Sequence, residues 1–239
     1  MLIDMHAHTS GISTCCRADA TAVVAAAKKV GLDGLIVTNH YAEAYAKKRP
    51  SPRAFAEDFT DEYHRTREIA EREGLKAFFG IEVTMKPHDN VHMLVYGVSE
   101  AFLLEHPELY LLTQEELYAL VHENGGYLVQ AHPMRKGKNV LLDLRYLDGI
   151  EINSHPLYDK TYFEEISEIA HAHGKFLTSG GDYHADTHRP RCGAYLPETL
   201  TSTREIIAYL ENVPRASLCI QEPDATVCRR VAFDRKVNM

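Results

Sequence analysis

Short apolar runs alternating with helix-forming stretches predict an α/β chain of βα units, closed as a distorted TIM-like barrel or, failing closure, laid out as an open doubly wound sheet. Three observations carry this. Strand-like runs occupy residues 2–5, 34–38, 77–83, 91–98, 126–130, 149–152 and 175–179, and most of them are separated by helical patterns. The helices expected at 18–30, 53–73, 113–123 and 158–173 each stop at a glycine or an Asn-Gly pair able to turn left-handed. Finally, only seven residues separate Val83 from Val91, whereas a parallel crossover needs about a dozen or more. Those two strands are therefore expected to be antiparallel neighbours, which distorts the barrel.

Taken in order, the run 2–5 opens the sheet and the Ala-rich stretch ending at Gly31 supplies its first return helix. The long pattern 53–73, ended by Gly74, covers the next crossover, and Thr113-x-x-Glu116 matches a capping box at the start of the third helix. Beyond Gly174 comes the last barrel strand. A C-terminal helix and two strand-like pieces, 216–220 and 227–233, flank Glu222-Pro223-Asp224 and read as a closing hairpin or edge element. One domain is expected over residues 1–239, with its core at about 2–190.

With 239 residues, 45% hydrophobic and 25% charged, the composition suits a globular chain with one substantial core. Lys plus Arg is 26 against 34 for Asp plus Glu, a net charge of −8, which disfavours long nucleic acids and polybasic membrane anchoring. No apolar run nears the roughly 18 to 20 residues that span a bilayer, and the N-terminus lacks secretory features, so a cytoplasmic location is expected. Five cysteines at irregular spacing argue against a disulfide framework. Nothing marks the oligomeric state.

Fourteen histidines are the unusual item. His6 and His8, two apart at the end of the first run, point the same way and can converge on one ion. His40 ends the second run, Glu82 the third, His132 the fifth, and Asp182 with His184 the seventh. Carboxyl ends of barrel strands share one mouth, so these groups are collected there although far apart in sequence. His92 begins its strand, and an antiparallel strand starts at that same mouth. So many imidazoles and carboxylates buried together are costly unless cations resolve the charge. Mixed nitrogen and oxygen donors suit zinc, iron or manganese better than calcium or magnesium. Glu82 is the expected bridge. His64, His106, His122, His171 and His173 read as surface residues, and His88 and His188 are left undecided.

His6-Ala7-His8, Thr38-Asn39-His40, Ala131-His132-Pro133 and Gly181-Asp182-Tyr183-His184 resemble, in order, the four motifs of the PHP (polymerase and histidinol phosphatase) superfamily. Glu82 and the His92-led strand are similar to its small-molecule phosphoesterase branch. The resemblance covers about residues 2–190. It implies a distorted (β/α)7 barrel with two or three divalent ions, usually used to hydrolyse phosphoesters. It further implies one ion on His6, His8, Glu82 and Asp182, a second on Glu82, His92 and His132, and a third on His40 and His184. Where many members place an Asp or His after the second histidine, this chain has Ser13-Thr14-Cys15-Cys16, so the third ion lacks an ordinary ligand unless a cysteine thiolate supplies it.

The chemistry expected is hydrolysis of a small phosphorylated substrate, with phosphodiester cleavage and a noncatalytic metal-stabilised domain as the alternatives. Bound ions would supply an activated water and neutralise phosphoryl charge. Arg135 and Arg17 are the first choices to hold the phosphate, because guanidinium offers a bidentate fork; Lys136, Lys138, Arg189 and Arg191 come second. His155 follows a strand and is placed to protonate the leaving group or touch the substrate. Asp4 is read as orienting an imidazole, and Tyr183 as packing.

Overall fold

A computed structural model describes residues 1–86, 90–135, 140–185 and 187–236. His88, Lys136 and Lys138 lie outside the described residues. Seven strands make the wall: β1 (Leu2–Ala7), β2 (Gly34–Val37), β4 (Lys76–Thr84), β5 (His92–Tyr96), β6 (Tyr127–Gln130), β7 (Gly149–Asn153) and β8 (Phe176–Gly180). A two-residue β3 (His40–Tyr41) pairs with β4 alone. All seven sequence-predicted runs are present. β5 is antiparallel to both β4 and β6 while the other wall pairings are parallel, as the short link requires. The wall all but closes where β8 returns to β1: Asp182 N–H donates to His6 O at 2.9 Å, and Ala7 bridges Tyr183. The result is a distorted TIM-like barrel.

Closure is incomplete at the other end of β1, where β9 (Gly193–Tyr195) pairs antiparallel with Leu2 and Ile3 and leads on to β10 (Arg215–Ile220) and β11 (Arg229–Asp234). The tail is thus an antiparallel hairpin on the sheet edge. It braces loops near the mouth through Gln221 N–H to Ser154 Oγ at 3.1 Å and Thr161 N–H to Glu222 Oε2 at 2.9 Å.

Helices α1 (Ala20–Lys29), α3 (Pro52–Arg72), α5 (Gln114–Glu123), α6 (Phe163–Ala172) and α7 (Thr203–Asn212) pack around the wall, with short α2 (Glu43–Ala46) and α4 (Glu100–Glu105) between. Their starts are written in the sequence. Asp19 and Ser51 accept from backbone N–H groups as N-caps, and Thr113 with Glu116 and Ser202 with Glu205 form capping boxes. One expected helix is shorter than read: α6 begins at Phe163 rather than Tyr158, because Tyr162 sits at φ 57°, where a helix cannot continue from its N-terminal side. Two buried apolar clusters result. One joins Val23, Phe55, Phe59 and Val83 beneath α1 and α3, and the other joins Ile3, Ile150, Ile166, Ile206 and Leu218 beneath α6 and α7. None of the described helices is long and apolar enough to cross a membrane.

Candidate metal centre

Glu82 is the hub. On β4 its carboxylate is fully buried and meets five imidazoles: His40 Nδ1 at 2.5 Å, His92 Nδ1 at 2.8 Å, His6 Nε2 and His132 Nε2 at 3.3 Å, and His8 Nε2 at 3.4 Å. Asp182, after β8, forms a second focus, 3.0 Å from His8 Nε2 and 3.4 Å from both His6 Nε2 and His184 Nδ1. Reversal of β5 is what delivers His92 here, since its ring would otherwise begin at the far end of the barrel.

Hydrogen bonds behind these rings fix which nitrogen faces inward. Ser13 Oγ donates to Asn39 Oδ1 at 2.9 Å and accepts from His40 N–H at 2.9 Å. Its one proton is thereby committed, so His8 Nδ1 must donate to Ser13, 3.1 Å away. His8 Nε2 then presents a bare lone pair toward Asp182 Oδ1. On the other side, His6 Nδ1 donates to Glu151 Oε1 at 2.8 Å, turning its Nε2 to within 3.0 Å of His8 Nε2. Lone pairs facing carboxylates and one another are stable only around a proton or a cation. His40 Nδ1 and Glu82 Oε2 make the same point: both are buried without a hydrogen-bond partner although 2.5 Å apart. Among the described residues, four sets of potential ligand atoms each lie within 4.8 Å of one another: His6, His8 and Asp182; His40, Glu82 and His92; His8, His40 and His184; and His155, Asp182 and His184. Such donors fit divalent transition ions.

Without metal, protons stand in for cations. Burial disfavours a charged His6, but Glu151, Glu82 and Asp182 override it and raise the ring well above its usual range. The same opposition places His40 at about 10, chiefly through Glu82, and His184 at about 9, chiefly through Asp182. His8 falls well below its usual value, because burial is reinforced by His184 and His40. Burial also works against Glu82 and Asp182, yet the surrounding imidazoles hold both carboxyls well below their usual range. Cys15, though partly desolvated, is brought down to about 6 by His184 and His40.

Sequence reading passed over Glu151. It lies on β7, wholly buried, and holds the His6 side chain while accepting from His132 N–H at 2.9 Å and Asn153 Nδ2 at 3.0 Å. The available signal was an acid inside the otherwise apolar strand Gly149–Asn153. Gly180 permits the approach, since a Cβ there would lie 2.4 Å from His6 Cβ and 2.5 Å from Glu151 Oε1. Asp4 does not orient an imidazole. Its Oδ1 accepts from the backbone N–H groups of His6 and Gly181, each at 3.0 Å, and its Oδ2 from Arg189 Nη2 at 2.6 Å. Backbone strain marks the site too: His132 at φ 32° and Asp182 at φ 48° are both left-handed.

A cavity of about 270 Å³ opens over the cluster, lined by Cys15, His40, His92, His132, His184 and, across from them, Arg135, His155 and Tyr158. The Arg135 guanidinium lies 4.6 Å above the Tyr158 ring, and Tyr158 OH donates to Asp182 Oδ2 at 2.5 Å. Tyr158 was not singled out from sequence, and no local signal marks it. Arg17 is exposed and does not line this cavity. Arg189 is buried on Asp4, while Arg191 is tied to Gln221 and Cys228, so neither faces the mouth. Tyr183 packs under the Arg189 guanidinium at 4.9 Å. His40 and His92 also wall a second cavity of about 380 Å³ with Tyr45, Thr84, Lys86 and Tyr110. A larger cleft of about 600 Å³ lies at the opposite end of β4 and holds none of the ligand sets.

The barrel is an α/β barrel whose mouth, among the described residues, gathers four sets of His and acid side chains that could hold a metal ion. No family profile and no curated protein sequence matches the chain. Among solved structures it is similar to a Bifidobacterium adolescentis protein assigned as a metal-dependent phosphoesterase, at 18% identity and TM-score 0.55 over 88% of this chain and 96% of that one. It is also similar to PsfC from Pseudomonas syringae, at 21% and 0.59 over 87% of each chain. A third is an amidohydrolase from Chromobacterium violaceum with bound sulfate and no metal, at 16% and 0.55 over 88% and 96%. These likenesses establish the shared fold.

Proposed function

We propose that the chain is a metal-dependent hydrolase of phosphoesters, acting on a small phosphorylated metabolite through a centre of two or three zinc, manganese or iron ions. The observation that carries the reading is Glu82, one buried carboxylate against five imidazoles drawn from β1, β3, β5 and β6 or their ends. Structural neighbours lend support, one assigned as a metal-dependent phosphoesterase and another holding sulfate, a tetrahedral anion shaped like phosphate.

His6, His8, Glu82 and Asp182 would hold one ion, Glu82, His92 and His132 a second, and His40 with His184 a third. When bound, such ions supply an activated water and neutralise phosphoryl charge. The protein groups do the rest. Arg135, over the Tyr158 ring and lining the cavity, would offer its fork to the phosphoryl oxygens. His155 Nδ1 accepts from Leu157 N–H at 3.1 Å, which puts the ring proton on Nε2, the nitrogen able to protonate a leaving oxygen. Tyr158 fixes Asp182, and Glu151 and Ser13 fix the two β1 histidines. A single described guanidinium in a small cavity suits one phosphate better than a nucleic-acid track.

Phosphate release from a panel of phosphomonoesters, cyclic phosphates and oligonucleotides, with each metal in turn, tests this. Wild type is expected to release inorganic phosphate from monoesters, and His6→Ala and Asp182→Ala to release none. Cleavage of diesters alone reassigns the substrate class. Metal-loaded wild type as inert as Asp182→Ala across the panel overturns the proposal.

A further inference from the structure

The third ligand set has three nitrogens and, beside them, a sulfur. A tight turn follows β1, closed by Cys16 N–H to Ser13 O at 2.8 Å, and the next residue locks it to the opposite side of the mouth through Arg17 N–H to His184 O at 2.9 Å. This puts Cys15 at the rim of the cavity that His40 and His184 also line. Tyr45 OH donates to Cys15 Sγ at 3.6 Å from the far side. The adjacent cysteine does the reverse: Cys16 is buried, with Sγ donating to the carbonyls of His8 and Ala18. One thiol of the pair faces the imidazoles and the other packs.

Independent of the sulfur, the same corner asks for a cation. His8, His40 and His184 place ring nitrogens within 4.8 Å of one another, with His40 Nε2 and His184 Nε2 3.4 Å apart. Glu82 Oε2, fully buried and without a hydrogen-bond partner, points at this group, 3.4 Å from His8 Nε2.

We propose that Cys15 is a metal ligand, its thiolate joining His40 and His184 to hold one divalent ion of borderline softness. This rests on the reading of the mouth as a metal centre and adds a selectivity to it. Sulfur among nitrogens favours zinc, cobalt or iron over manganese and magnesium, so this position differs from the carboxylate-rich positions beside it. Tyr45 is a positioning residue for the sulfur.

Cobalt gives the test. Chelator-stripped protein, kept reduced, is titrated with Co²⁺ while absorption and bound metal per chain are followed. Wild type and Cys228→Ser are expected to develop a thiolate-to-cobalt charge-transfer band in the near ultraviolet beside the visible cobalt bands. Cys15→Ser loses the near-ultraviolet band and one bound ion. Cys15→Asp also loses the band but keeps the ion, which separates loss of a ligand from loss of fold. Tyr45→Phe weakens binding of that ion by about 10- to 100-fold, the usual effect of removing a partner that holds a ligand. Visible cobalt bands without the charge-transfer band in wild type, or a band that persists in Cys15→Ser, overturn the proposal and leave phosphoester hydrolysis at the neighbouring ligands standing. A band that behaves as expected in a protein that turns over no ester sustains Cys15 as a ligand and sinks only the hydrolase reading. Wild type that binds no cobalt sinks both.

Discussion

Loading the centre should expel protons, and the structure says how many. In the metal-free chain His40 is held at about 10 and His184 at about 9, and His6 is raised well above its ordinary 6.5. Near pH 7.5 these three are imidazolium, whereas His8 and His92 are depressed and already neutral. A metal ligand must be deprotonated, so filling all sites releases about three protons per chain, and each one steepens apparent metal affinity by about tenfold per pH unit. Calorimetric titration of stripped protein with zinc in buffers of differing ionisation enthalpy reads the number as a slope. The same shifts set stability without metal. A histidine raised above its unfolded value contributes stability that is complete below about pH 6.5 and lost as pH rises through its folded pKa. The melting temperature of stripped protein should therefore fall between about pH 7 and 10, and that of loaded protein should not follow it. Release of fewer than one proton, or a stripped protein that gains stability across that window, would refute the charge assignment.

Arg135→Ala should raise KM for a phosphomonoester by about 10- to 100-fold, the worth of charge-assisted hydrogen bonds, with metal content unchanged; an unaltered KM would remove Arg135 from the phosphate site. Arg189→Ala should cost about 3–5 kcal/mol in urea unfolding, because it strands the buried Asp4 carboxylate, and a loss under about 1 kcal/mol would show that Asp4 is relieved some other way. Tyr158→Phe removes the bond to Asp182 and should weaken metal affinity by about tenfold, measured by competition with a chromophoric chelator.

Much of this was legible because it follows from periodicity and spacing. The runs of β1 to β8 that form the wall are short and apolar, and the seven residues between Val83 and Val91 forbade a parallel crossover, which placed His92 at the mouth before any coordinates did. Other features depend on contacts that pattern does not encode. β9 is three residues long and is held as a strand by its neighbours β1 and β10. Tyr158 lies in an irregular loop, and its importance comes from standing between Arg135 and Asp182. Arg17 is near the site in sequence but exposed, since the turn that carries it is fastened by its backbone and not by its side chain. Asp4 lies two residues from His6, yet its partners are amides and a guanidinium.

Running one strand backwards makes part of the centre a matter of register. Met93, Leu94, Val95 and Tyr96 face Gln130, Val129, Leu128 and Tyr127 across the β5–β6 ladder, and Thr84 faces His92 on the other side. Side chains alternate along a strand, so sliding β5 by a single residue would turn His92 out of the barrel and carry Tyr96 away from Met5 O, to which its hydroxyl donates at 2.6 Å. On the forward strands β1, β6 and β8 the candidate ligands His8, His132, Asp182 and His184 lie just past the strand ends. His92, by contrast, opens its strand, so its place beside Glu82 is only as secure as the zipper between three neighbouring ribbons.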